Sequence, residues 1–345
     1  MKGTPTLDDI AEALHISKAT VSRALCDHPD VKAETKQAVI ALAKKLNYEP
    51  NRLAQSLRSN KTYTIGVVVP EIAMHFFSST LSGMQDYALR HDYIIMVCQS
   101  MESYQTEKIN VQKLASNRVD GLLISLSSET RNVDHLRQLI EKKIPVVLFD
   151  RVCNDLDVSK VIVNDYDAAF KAVEYLIRTG CKRIAYVGGP RDLYISAQRE
   201  QGYLDALRKN NIAPSEDWII HCKDLHTEPV GATQQLLDLP RMPDAIFCMN
   251  DPIAIQVMQV LKEQNVRIPD EISVIGFTNE PVSNFIEPSL TTVSQPSYEM
   301  GRTAAKLFIE QLEHPESFKP ITKVLPTELI IRNSTRKLFH NVLET

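Results

Sequence analysis

The sequence predicts two kinds of structure in one chain: an all-α head of about fifty residues and an α/β body of parallel sheet in two lobes. Three observations carry this. Apolar residues near the N-terminus recur at i, i+3, i+4 spacing over three short stretches. From residue 63 onward, compact apolar runs alternate with helical patterns, the signature of buried strands joined by βαβ crossovers. That alternation continues for longer than one such sheet needs, so it divides into two similar lobes.

The first helix is read from Leu7, Ile10, Ala11 and Leu14, with Thr6 or Asp8 as its N-cap. The second is read from Val21, Ala24 and Leu25, with Ser17 as its cap. Only Leu14-His15-Ile16-Ser17 lies between them, so the chain must turn sharply there. The third helix is ETKQAVIALAKKLNY, with Val39, Leu42, Ala43 and Leu46 on one face, and Pro50 bars its extension. Two short helices braced by a third make a helix-turn-helix. The outer face of the second carries Lys18, Ala19, Thr20, Ser22 and Arg23, groups small or basic enough to approach base edges and phosphates. Periodicity alone fits a plain helical hairpin with a solvated face equally well.

The body begins at YTIGVVV and continues through YIIMVCQ, DGLLISL, PVVLF, RIAYVGG, AIFCM and ISVIGF. Helical patterns such as FKAVEYLIRTG and PIAIQVMQVLKEQN separate them. Ligands of such sheets sit beyond the carboxyl ends of the strands, which makes the loops there the ones to inspect.

The composition narrows the function. A hydrophobic share of 43% supports real cores, and no apolar run is long enough to span a bilayer. The first residues, MKGTPTLDDIAEAL, lack the apolar core of a signal peptide, and six scattered cysteines contain no CxxC pair. Reduced thiols in a cytoplasm are the expectation. Residues 1–62 hold 10 basic and 7 acidic residues, net +3, on a body of net −7, so only the head is suited to a polyanion. No GxGxxG, Walker loop, GxSxG or HExxH is present, and no catalytic residue or cofactor is expected. His221 and Cys222 alternate across the strand pattern WIIHC and face opposite ways, so with His226 they make a poor metal set; none is expected.

SKATVSRAL followed by ETKQAVIALAKKLNYEPNRLAQSLRS resembles the DNA-binding head of the lactose-repressor (LacI/GalR) family of bacterial transcription regulators. The resemblance continues through IGVVVPEI…FF, VVLFDR, IAYVGGP, FCMNDPIAI, ISVIGF and PSLTTVSQP, and so covers nearly the whole chain. It implies a helix-turn-helix domain over 1–50, a hinge over 51–62 and a ligand-binding and dimerisation domain over 63–345. The body would be periplasmic-binding-protein-like, two Rossmann-like lobes with three crossovers. Lobe 1 would take about 63–162 and 293–325, lobe 2 about 163–292 and 326–340.

Carried over position by position, the implied DNA-contacting set is Thr6, Ser17, Lys18, Ala19, Thr20, Ser22, Arg23, Lys32, Thr35, Tyr48, Asn51, Arg52, Ala54, Leu57 and Arg58. Lys18 and Ala19 would discriminate bases, Thr35 would cap the third helix near a phosphate, and Leu57 would be an apolar wedge in the minor groove. Three departures stand out: His15 replaces the turn glycine, Cys26 a common asparagine and Lys32 a common serine.

The implied effector set is Glu71, Phe76, Phe77, Asp150, Arg199, His226, Asn250, Asp251, Thr278 and Gln295. Arg199 would grip ligand oxygens and His226 would stack on the ligand. Thr278 stands where many members place an aspartate that accepts from sugar hydroxyls, which points to a carbohydrate or sugar acid rather than a neutral hexose. The expected molecule is a homodimeric repressor on a pseudo-palindromic operator, its affinity set by that effector. Two rivals are a sugar-binding protein of the same body fold and a sugar-modifying enzyme. The segment from 51 cannot hold a helix alone in water, so it would order only on DNA, as a switch between cleft and heads.

Overall fold

The computed structural model describes residues 5–48, 61–224 and 227–338. The chain divides into two compact units, 1–62 and 63–345.

In the head, α1 (Leu7–Ala13) opens with a reciprocal cap: Asp9 N–H donates to the Thr6 hydroxyl while the Asp9 carboxylate accepts from Thr6 N–H at 2.7 Å. The helix ends where His15 takes φ +51, a left-handed turn, and Ile16 N–H reaches back to Ala11 O at 3.0 Å. Ser17 caps α2 (Lys18–Leu25) through Thr20 N–H at 3.1 Å. Helix α3 (Ala33–Lys45) starts at Lys32, which makes no side-chain cap bond. The expected capping role of Thr35 is therefore corrected: Lys32 holds the cap position and Thr35 is the third residue of the helix itself. Ile10, Val21, Ala24 and Val39 close the core between the three helices.

The body holds two six-stranded sheets. The first has order β11-β5-β4-β3-β1-β2, from β1 (Thr64–Val69), β2 (Ile94–Gln99), β3 (Gly121–Ile124), β4 (Val146–Phe149), β5 (Ser159–Val163) and β11 (Thr322–Leu325). The second has order β12-β10-β9-β8-β6-β7, from β6 (Ile184–Gly188), β7 (Ile219–His221), β8 (Ala245–Cys248), β9 (Ser273–Thr278), β10 (Thr291–Ser294) and β12 (Glu328–Ile330). All pairings are parallel except β10 with β12. β3 and β4 are buried throughout, as strands covered on both faces must be.

The chain passes between sheets three times: after β5, after β10 and between β11 and β12. β5 runs to Val163 and β10 to Ser294, so each of the first two passages falls one or two residues beyond the boundary expected from sequence. Lobe 1 packs α4 (His75–Leu89), α5 (Tyr104–Ser116), α6 (Asp134–Glu141) and the returning α11 (Ser297–Glu313) on its sheet. Lobe 2 uses α7 (Asp165–Arg178), α8 (Tyr194–Lys209), α9 (Glu228–Leu237) and α10 (Asp251–Glu263). α4 and α11 touch backbone to backbone. A Cβ on Gly83 would meet the carbonyl of Tyr298, and one on Gly301 the carbonyl of Thr80.

Candidate nucleic-acid interface and ligand cleft

On α2, Lys18, Ala19 and Arg23 are exposed, while Thr20 and Ser22 are half-buried. The order follows from the helix: Val21 and Ala24 face the core, which turns Ala19 and Arg23 to the far side. Lys18 Nζ pairs with Asp8 at 2.7 Å, but both side chains are more than half exposed, so the contact is weak and readily exchanged for a phosphate or a base. Ser17 and Lys32 are exposed and Tyr48 half-buried against the head core. Asn51, Arg52, Ala54, Leu57 and Arg58 lie outside the described residues.

In the body a cavity of about 850 Å³ opens where the carboxyl ends of both sheets meet. Lobe 1 contributes Pro70, Glu71 and Met74 after β1, Gln99, Met101 and Glu102 after β2, and Ser128, Glu129 and Arg131 after β3. Lobe 2 contributes Pro190, Arg191 and Asp192 after β6, His221, Lys223 and Asp224 at the end of β7, and Asn250 and Pro252 after β8. Each sheet supplies the ends of three neighbouring strands, the place where α/β sheets bind ligands.

Of the ten expected effector residues, Glu71 and Asn250 are on this wall. Asn250 Oδ1 caps α10 by accepting from Ile253 N–H at 2.9 Å, which leaves its amide nitrogen for the cavity. His226 lies outside the described residues. The other seven sit behind the wall. Phe76 and Phe77 make an edge-to-face pair in the lobe 1 core. Arg199 is buried, with Nε and Nη2 on Asp165 at 2.8 and 2.7 Å, Nη1 on Met249 O at 2.6 Å and its plane 3.7 Å over the Phe277 ring. A buried guanidinium needs this neutralisation, and Asp165 supplies it.

Asp251 accepts from Glu280 N–H at 2.8 Å and from the hydroxyls of Ser283 and Thr292, tying the ends of β8, β9 and β10 together. Thr278 has φ +123, a conformation costly for any side chain with a Cβ, at the end of β9. Gln295 is buried on the second passage, and its Nε2 has no partner among the described residues.

Asp150, at the end of β4 with φ +57, is nearly fully buried. Burial pushes its carboxyl up to about 6, against the pull of Arg151 and Arg199. Beside it, Arg151 Nη1 lies 2.7 Å from both oxygens of Glu102. Burial works against the Glu102 charge, but Arg151 and the Ser128 N–H outweigh it and hold the carboxyl below its ordinary range.

Glu102, Arg131, Asp192, His221 and Lys223 escaped the position-by-position reading. Each is within about seven residues of a strand end, so the strand-end rule, applied to every strand, would have found them.

An outward-facing reading helix and a cleft between two parallel sheets define a class: transcription regulators with a separate ligand-sensing body. Residues 6–51 match the family described as bacterial regulatory proteins, lacI family, and residues 173–335 match a periplasmic binding protein-like domain. The chain is 33% identical over 335 residues to the HTH-type transcriptional repressor CytR of Escherichia coli (strain K12), covering 96% of this chain and 97% of that one. Its fold is similar to the lac repressor dimer bound to operator and the anti-inducer ONPF, with TM-score 0.85, 26% identity and coverage of 97% and 100%. It is similar also to a complex of the transcriptional regulator CelR with cellobiose, with TM-score 0.73, 29% identity and coverage of 96% and 99%. The chain belongs to the lacI family of bacterial regulatory proteins.

Proposed function

We propose that the protein is a homodimeric repressor that binds a pseudo-palindromic operator and releases or tightens it when a carbohydrate enters the cleft. Its place is the cytoplasm, on the nucleoid, and it turns nothing over. The observation that carries this reading is the joining, in one chain, of an exposed α2 surface and a cavity at six strand ends. The lac repressor relative is seen on operator DNA, and the CelR relative holds cellobiose.

Lys18 and Ala19 read base edges in the major groove, and Thr20, Ser22, Arg23 and Lys32 hold phosphates. In the cleft, Glu71 accepts from hydroxyls and the Asn250 amide donates to them. Asp150 and Arg199 come into play when the lobes shift. Arg191 and Lys223 on the lobe 2 wall are matched there by Asp192 and Asp224, and Glu71, Glu102 and Glu129 outnumber Arg131 on the lobe 1 wall, a mixed set of donors and acceptors that suits the hydroxyls of a carbohydrate.

The test is a thermal-shift screen of the full chain with neutral sugars, disaccharides and sugar acids, repeated with operator DNA present. An effector raises the melting temperature and changes operator affinity, and each ligand must alter the other's binding by the same factor. A sugar that stabilises the protein while leaving operator binding untouched overturns the reading.

A further inference from the structure

Polar contacts join the loops of one lobe to those of the other around the cleft. Arg131 Nε, after β3, lies 3.1 Å from Asp192 Oδ2, after β6, and both side chains are on the cavity wall. At the other flank Phe76 N–H donates to Glu280 Oε1 at 3.3 Å. The first is an ion pair.

Arg131 is not a free arm. Its Nη1 donates to Ser128 O at 2.6 Å, so the guanidinium is fixed to its own loop while Nε faces lobe 2. That loop is strapped down in turn. Glu107, fully buried, accepts from Ser127 N–H at 2.6 Å and from the Thr130 hydroxyl at 3.0 Å. Glu102 accepts from Ser128 N–H at 2.8 Å, and Arg151 grips Glu102 beside Asp150. A continuous series of contacts therefore runs from the end of β4 through Arg151, Glu102 and Ser128 to Arg131, and across to lobe 2. Glu102 is the member of it that both faces the cavity and holds the loop.

We infer that the Arg131–Asp192 pair is a latch across the cleft mouth, and that Glu102 is the positioning residue through which the cleft's contents set it. An ion pair whose side chains are 46% and 71% exposed is individually weak and screened by salt, which suits a contact made and broken in each cycle. On the lobe 2 side, Asp192 sits two residues before Tyr194, a side chain packed against apolar clusters of both lobes. The latch is thus seated next to an apolar bridge that already spans the gap, and it adds a switchable element to a fixed one.

This inference deepens the proposed function, since it takes the cleft as the effector site, but its test uses neither effector nor DNA. Failure of the latch would leave the regulatory reading standing. Amide exchange is followed in the full chain over 127–131 in lobe 1 and 191–194 in lobe 2, at low and high NaCl. Asp192→Asn should speed exchange in both segments about two- to fivefold at low salt and abolish their salt dependence. The double variant Arg131→Asp with Asp192→Arg should restore both. Glu102→Gln, which keeps the shape and removes the charge, should loosen 191–194 as well as 127–131, although the polar partners of Glu102 among the described residues, Ser128 and Arg151, are both in lobe 1. Exchange at 127–131 unchanged by Asp192→Asn overturns the latch. Exchange at 191–194 unchanged by Glu102→Gln overturns the positioning role.

Discussion

At the scale of single residues, Asp150 carries a testable consequence. Its folded pKa, about 6, lies above the ordinary 3.8, so between roughly pH 4 and pH 6 the folded chain binds more protons than the unfolded one. The sign is therefore that this residue lowers stability as pH rises through that window, by up to about 3 kcal/mol. Asp150→Asn removes the effect. In urea melts the variant should match the wild type near pH 4 and gain on it up to about pH 6, the difference then holding level. A difference that does not change with pH would contradict the raised pKa. The same position shows what sequence can tell. Resemblance marked Asp150, but nothing in VVLFD reveals that Arg151 turns toward Glu102, forty-nine positions earlier. Glu71 and Asn250 were legible because they follow strand patterns directly. Arg131 and Asp192 were not, because a charge in a loop reads as solvated until its partner from another loop is placed beside it.

At the scale of elements, the strongly patterned pieces were legible, short ones included, and the polar or exposed ones were not. The head helices follow their i, i+3, i+4 spacing, and Ser17 caps where it should. β5, β10, β11 and β12 were missed for a physical reason. Each carries polar residues within three to five positions (SKVIV, TTVS, TKVL and ELI), and β11 is exposed along most of its length, so none shows the unbroken apolar run that marks the equally short β3, β4 and β8. What makes them strands is pairing with distant neighbours, as Thr322–Leu325 does with Lys160–Val163. The α4–α11 pair makes a sharper point. Gly83 and Gly301 permit backbone contact between helices more than two hundred residues apart, and each substitutes for a side chain the gap cannot hold. Gly301→Ala should cost about 1–3 kcal/mol through forced separation of the helices, read as a lower urea midpoint for the body. An unchanged midpoint would show that the two helices part easily.

At the scale of the whole molecule, two units with separate cores carry separate tasks, and residues 51–60 join them in sequence. The resemblance implies that Leu57 would be a wedge opening a minor-groove step. Leu57→Ala should weaken operator binding about tenfold or more in a gel-shift titration, while effector affinity of the body stays at the wild-type value. Equal operator affinity in the variant would remove the wedge from the mechanism. The three passages between sheets have a consequence for how the chain is made. The head is complete once its first fifty residues have left the ribosome, yet sheet 1 waits for Thr322–Leu325 and sheet 2 for Glu328–Ile330. Both lobes are finished by the same last stretch of translation. For most of its synthesis, then, the nascent protein carries a formed reading head on a body that cannot yet sense anything.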